Sequence, residues 1–278
     1  MLTTIPLTST QIADLAVAAI RAEADLTPKP GLVDQRGSGA HSDMDLAMLH
    51  TSADSLHTAF AECASAATQS VTEVELRARL GEIGRAGEQA MLATTGGVNT
   101  HRGALWALGL LSAGAAHGGG AVTVAAGLAA IPDPHVTAAT SHGARVRQRY
   151  GVSGAAGDAQ AGFPHVRLHA LPALQAARQS GADEASARLT ALLTLMATLD
   201  DTCVLHRGGA DGLRSLQSGA QAVLDTGGIG TPRGRRHFTA LDDLCLTRRL
   251  SPGGSGDLLS VTLFLDAVED GGSQPCRP

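Results

Sequence analysis

The sequence predicts an all-α fold: one compact bundle of about ten helices over residues 1–278, linked by glycine-rich loops that carry function. Three observations predict it. Apolar residues recur at helical spacing, and strand-like alternation is scarce. Aromatics make up only 2% of the chain, so alanine, leucine, valine and glycine must fill the interior. Alanine and leucine have the best helix propensities, and small side chains let helix axes approach closely.

The elements follow in order. Ser9 or Thr10 caps a first helix to about Ala24, with Ile12, Leu15, Ala16, Ala19 and Ile20 on one face. TPKPGLVDQRGSGAH (27–41) has two prolines, three glycines and no periodicity, which makes it a loop. Loops of that length in a compact domain are usually functional or disordered, and Leu32-Val33 favours order. Ser42 and Asp45 form an approximate capping box for a helix to about Ala67. Thr72 and Glu75 repeat that signal for a helix from Glu73 to about Ala93. TTGGVNTHRG (94–103) then opens onto an apolar helix containing Trp106, and another helix covers 121–130. His135 to Tyr150 reads as helical, and GVSGAAGDAQAGFPHV (151–166) as a loop with one helical turn. Helices over 172–179, 183–198, 209–225, 237–249 and 257–269 complete the chain, and SPGGSGD (251–257) is a turn feeding the last one.

Composition excludes several classes. A net charge of −5 argues against a general nucleic-acid binder, which needs a basic face. Residues 103–131 contain no Asp, Glu, Lys or Arg, and about 20 apolar residues span a bilayer. His117-Gly118-Gly119-Gly120 divides that stretch into two short pieces, which suits buried core helices and not a membrane span. The N-terminus lacks a basic segment followed by an apolar run, and the four cysteines are far apart. A soluble cytoplasmic protein is expected. The oligomeric state stays open, a homodimer included.

Polar residues that a helix bundle does not need collect in the loops. In the first, Lys29 (the only lysine), Asp34, Arg36, His41, Asp43 and Asp45 either cap helices and face solvent or form an anion site. In the second case Lys29 and Arg36 face phosphates while Asp43 or Asp45 helps hold Mg²⁺, which favours one or two carboxylates plus substrate phosphates. The second loop offers Asn99, Thr100, His101 and Arg102 at a helix start, where exposed N–H groups attract phosphate. Glu88 lies on the helix leading into it, as a metal ligand, a general base or a surface residue. His142 and Arg145 belong to an arginine-rich helix, with Arg145 and Arg149 on one face. Asp200, Asp201, His206 and Arg207 surround a helix-to-helix turn, and Gly253-Gly254-Ser255 makes a nest of N–H groups. HExxH, GxSxG, CxxC and P-loop spacings are absent. The residues alone support a helical enzyme that binds a phosphorylated ligand with Mg²⁺.

Five strings together resemble the triphosphoribosyl-dephospho-CoA synthases: TPKPGLVDQRGSGAHSDMD (27–45), EIGRAGEQAMLATTGGVNTHRGALWALGLL (82–111), GARVRQRYGVSGAAGDAQAGFPHV (143–166), DTCVLHRGG (201–209) and LSPGGSGDLLSVTLFL (250–265). They occur in the family's order over nearly the whole chain, closest to the branch serving malonate decarboxylase and not the one serving citrate lyase. Arg102 stands where relatives often have lysine, and Asp158 where they usually have glutamate. The resemblance implies an all-helical transferase that moves the triphosphoribosyl group of ATP to the 2′-hydroxyl of 3′-dephospho-CoA and releases adenine. The product is a precursor of the prosthetic group of an acyl carrier protein. On that reading Lys29, Arg36, Arg102 and Arg207 clamp the triphosphate, and Asp34, Asn99, Thr100, His142, Arg145, Gly253, Gly254 and Ser255 contact substrate. Asp43, Asp45, Glu88 and Asp201 are the metal candidates. The base comes from Glu88, Asp43 or Asp45, and His101 or His142 protonates adenine. Two rival functions remain: a non-catalytic CoA- or nucleotide-binding regulatory module, and a hydrolase of nucleotide ribosides in which water replaces the hydroxyl.

Overall fold

The computed structural model describes residues 6–70, 72–118, 120–135 and 142–271, the last without the side chains of residues 142–144 and 270–271. Among these residues there are thirteen α-helices and no strand. The Asp34–Gly37 contact is an isolated bridge inside a loop.

The chain begins with α1 (Ser9–Asp25), capped by Thr8 rather than by Ser9 or Thr10. Gln11 returns a side-chain bond to the Thr8 backbone, so Thr8-x-x-Gln11 is a full capping box. The expected helix from Ser42 to Ala67 is two helices, α2 (Leu46–Ser55) and α3 (His57–Gln69), divided at Leu56. Asp45, not Ser42, caps α2 by accepting the N–H of Met48 at 2.8 Å. Helix α4 (Glu73–Thr94) starts at the expected Thr72/Glu75 box. Next come α5 (Arg102–His117), α6 (Ala121–Ala130) and α7 (His142–Tyr150). The expectation of a helix from His135 falls partly on 136–141, outside the described residues.

The loop expected at 151–166 contains α8 (Gly154–Gln160), and one π-turn (Val166–Ala170) leads into α9 (Leu171–Gln179). Helix α10 (Glu184–Thr198) is followed by α11 (Thr202–Asp225), which begins seven residues before the expected 209. Gly209 breaks α11 at φ 61°, ψ −166°, a backbone shape open to glycine and not to an L side chain. Helix α12 (Pro232–Thr247) and α13 (Gly253–Gly271) complete the fold. Gly253 to Asp257 are therefore the first turn of α13 and not a preceding turn.

One contiguous apolar cluster runs from Ile12 on α1 to Leu265 on α13. Helix α1 packs on α3, α5 and α13, while α10 packs on α11 and α13. Close axes need small residues at the crossings: a Cβ on Gly87 of α4 would stand 2.9 Å from Ala59 Cβ on α3. No single described helix is long and apolar enough to cross a membrane; only α10 and α11 together reach that length, bent by 58°. The packing brings the first turns of α5, α11 and α13 together near the C-terminal end of α1.

Candidate active site

The three helix starts are tied to one another by carboxylates. Asp257, in the first turn of α13, accepts the backbone N–H of Ala104 in the first turn of α5. Asp201 caps α11: its Oδ1 accepts the N–H groups of Cys203 at 2.9 Å and Val204 at 3.3 Å. Its Oδ2 accepts from the backbone N and Oγ of Ser255 on α13, at 2.8 and 3.0 Å. Helix starts concentrate partial positive charge, and here the two carboxylates take the N–H groups of Ala104, Cys203, Val204 and Ser255.

The loops close around this junction. From the first, Ala40 accepts from Arg207 Nη1 at 3.3 Å, and His41 Nε2 lies 2.7 Å from Ser251 Oγ. Arg207 Nη2 lies 3.2 Å from His41 Nδ1. A guanidinium only donates, so Nδ1 accepts and Nε2–H donates to Ser251. Burial, followed by the charge of Arg207, lowers the His41 pKa and keeps this neutral form despite Asp43 at 3.4 Å. On the far side, His165 Nδ1 lies 2.5 Å from Asp158 Oδ1, and that carboxylate, more than any other influence, raises the His165 pKa. Thr202 touches the space beside Gly154, which brings the third loop against α11.

Several expected site residues take other partners. Lys29 is buried, and its ammonium donates to Glu23 O at 2.6 Å and Glu23 Oε1 at 2.8 Å. It holds the end of α1 to the first loop instead of facing phosphate. Arg36 is bound by Asp34 and by Asp242, the latter at 2.6 Å, and Asp34 also accepts the Lys29 backbone N–H at 2.8 Å. These bonds fix the loop. Asp45 is exposed and occupied as a helix cap. The four donors on Asp201 fill its lone-pair positions, which removes it as a metal ligand. Glu88 is paired with Arg102, and Asn99 accepts the Arg102 N–H at 3.3 Å.

His101 is the N-cap of α5 and is buried, with Nδ1 2.9 Å from Ser52 Oγ and with no partner for Nε2 among the described residues. Thr100 bonds the same Ser52 hydroxyl at 2.6 Å. Burial, then the charges of Lys29 and His50, push the His101 pKa down to about 4. At neutral pH it carries no proton to give to adenine as an imidazolium. His142 begins α7, and its side chain lies outside the described residues. Arg145 is exposed on α7, which packs against α11, and Arg207 is exposed at the junction. Gly253 and Gly254 are half-buried in the first turn of α13, and Ser255 is buried.

Two residues at the junction escaped the sequence reading. Glu23 continues the buried α1 face of Ala16, Ala19 and Ile20, and an acid on an apolar face is a signal in itself. Asp257 ends the SPGGSGD string and stands in the first turn of α13, where an acid is ordinary. Burial pushes its pKa well above the usual carboxylate range, and the negative charges of Glu23 and Asp201 add to the effect.

Comparison with known proteins places the chain in a family. A family model described as ATP:dephospho-CoA triphosphoribosyl transferase matches residues 9–275. A Stutzerimonas stutzeri (strain A1501) protein named "Probable 2-(5''-triphosphoribosyl)-3'-dephosphocoenzyme-A synthase" is 54% identical over 277 residues, covering 97% of this chain and 96% of its own. Proteins of the same name are 54% identical in Pseudomonas syringae pv. syringae (strain B728a), covering 93% of this chain and 91% of the relative, and 53% identical in Pseudomonas fluorescens (strain Pf-5), covering 96% and 94%. No solved structure matches. The chain belongs to the ATP:dephospho-CoA triphosphoribosyl transferase family and is an enzyme of the transferase class.

Proposed function

We propose that the junction of α5, α11 and α13 is where this chain transfers the 5-triphosphoribosyl group of ATP to the 2′-hydroxyl of 3′-dephospho-CoA, with adenine as leaving group. The observation that carries the reading is the convergence of three helix starts with Asp257, Asp201, His41 and Arg207 in a chain whose family match spans 9–275. Arg207, exposed at the junction, is suited to the triphosphate. Arg102 begins α5, with Glu88 of α4 holding its guanidinium. The buried Lys29–Glu23 pair ties the end of α1 to the first loop beside it.

We also propose Mg²⁺ as the cofactor. Among the described residues no three metal-ligating side chains converge, so a cage made by protein alone does not fit. Magnesium carried on a polyphosphate needs one or two carboxylates, and Asp43 fits: it is exposed, and its ion-pair contact among the described residues is one ring nitrogen of His41. The ion would offset charge on the triphosphate. EDTA should abolish turnover and added Mg²⁺ restore it; turnover that survives EDTA argues against the ion. The further proposal is that the product feeds the carrier protein of malonate decarboxylase, in the cytoplasm. Its test is whether the product activates that apo-carrier and not the citrate lyase carrier.

The transfer itself is tested by incubating the purified chain with ATP, Mg²⁺ and dephospho-CoA and analysing by mass spectrometry. The joined product and free adenine in equal amounts are expected. Adenine release without dephospho-CoA would instead indicate a riboside hydrolase, and binding without adenine release a regulatory module.

A further inference from the structure

Most of the carboxylates that the loops gather around the junction are already committed. Glu23 is bound by Lys29, Asp34 by Arg36, Glu88 by Arg102 and Asp158 by His165. Asp201 accepts four N–H or O–H donors. Asp257 differs. Its recorded partner is one backbone N–H, that of Ala104, and among the described residues no cation is recorded against it. The residue is only partly buried, unlike Ser255 and Gly256 beside it. Gly103 lets the start of α5 lie directly against that carboxylate: a Cβ there would stand 2.0 Å from Asp257 Oδ2.

We propose that Asp257 is the general base of the transfer, taking the proton of the attacking 2′-hydroxyl. This rests on the triphosphoribosyl-transfer reading above. The new bond joins the 2′-oxygen to the anomeric carbon of the ribose of ATP. The bond from that carbon to adenine breaks, and its electron pair leaves with adenine. The hydroxyl proton passes to Asp257 and then to water, and adenine takes a proton from water, so charge and atoms balance. A base works best when its pKa lies near the operating pH. The surroundings move Asp257 in that direction. Glu23 faces it from α1, with Lys29 bound behind Glu23, and Asp201 and Cys203 face it from α11. The neutral His101 at the start of α5 adds no positive charge to offset them.

Asp257→Asn in the full chain tests the assignment, because the amide keeps an oxygen for the Ala104 N–H. The expected result is a kcat lower by about 10²–10⁴-fold, the usual worth of a general base. KM for ATP and for dephospho-CoA should stay within about threefold, the mark of an interaction made in the transition state. The acid limb of the wild-type kcat–pH profile should vanish from the residual activity. The melting temperature at pH 8 should rise, because a crowded negative charge is gone. A kcat within about tenfold of wild type overturns the proposal, and so does a changed Mg²⁺ requirement, which would make Asp257 a metal ligand. Gly103→Ala is the second variant: its methyl displaces the same carboxylate, so it should lose kcat without touching Asp257 chemically, and full activity in it also overturns the proposal. A wild-type chain that releases no adenine would sink the transfer reading itself; an active wild type with an active Asp257→Asn would sink only the base.

Discussion

Lys29 and Glu23 form a buried ion pair with a 2.8 Å contact at the foot of α1. Removing one partner of such a pair leaves an uncompensated charge and costs about 3–5 kcal/mol. Lys29→Met should therefore lower the urea-unfolding free energy by roughly that amount. A phosphate clamp would behave differently, leaving stability intact and raising KM for ATP. Lys29 stood out in the sequence as the lone lysine, but its partner did not. Helix periodicity puts Glu23 on the buried face, yet nothing in sequence spacing says that the Thr27–Lys29 segment folds back over it. His165 gives a pH-dependent case. Its pKa is raised above 6.5 by Asp158, so the stability it contributes is fully present below pH 6.5 and lost as pH rises through the folded-state value. His165→Asn should flatten that part of a stability-versus-pH curve; an unchanged curve would show that the pair contributes nothing.

At the scale of elements, the ends of helices decided which boundaries could be read. Thr72/Glu75 was legible because both halves of its capping box are in the sequence and both bonds form. Ser42 matched the same template, but the helix starts three residues later because Asp45 caps it more directly. The division at Leu56 carries no glycine or proline, so no local signal marks it. The end of α12 is a different matter. Leu250 N–H bonds Cys245 O at 2.8 Å and Arg249 N–H bonds Leu246 O at 3.2 Å, a Schellman ending with Arg249 at the position usually held by glycine. Arg249 has φ 51°, a left-handed shape that costs an L residue energy. Arg249→Gly should stabilise the fold by about 0.5–1 kcal/mol after the entropy that glycine loses on folding is subtracted. A lower melting temperature would contradict this.

Over the whole molecule, helical packing turns loops far apart in sequence into neighbours. The helical class and the five loop strings were legible because composition and short-range pattern carry them. The partners were not, since Arg36–Asp242, Asp201–Ser255 and Asp257–Ala104 join residues that only tertiary packing brings together, the first across the first loop and α12 and the others across α5, α11 and α13. The central claim is that these loops form one site. Hydrogen–deuterium exchange of the full chain, free and saturated with ATP, Mg²⁺ and dephospho-CoA, tests it most directly. The account predicts simultaneous protection of residues 27–41, 94–103, 201–209 and 250–257. Protection confined to one of these segments, with the others unchanged, would contradict it.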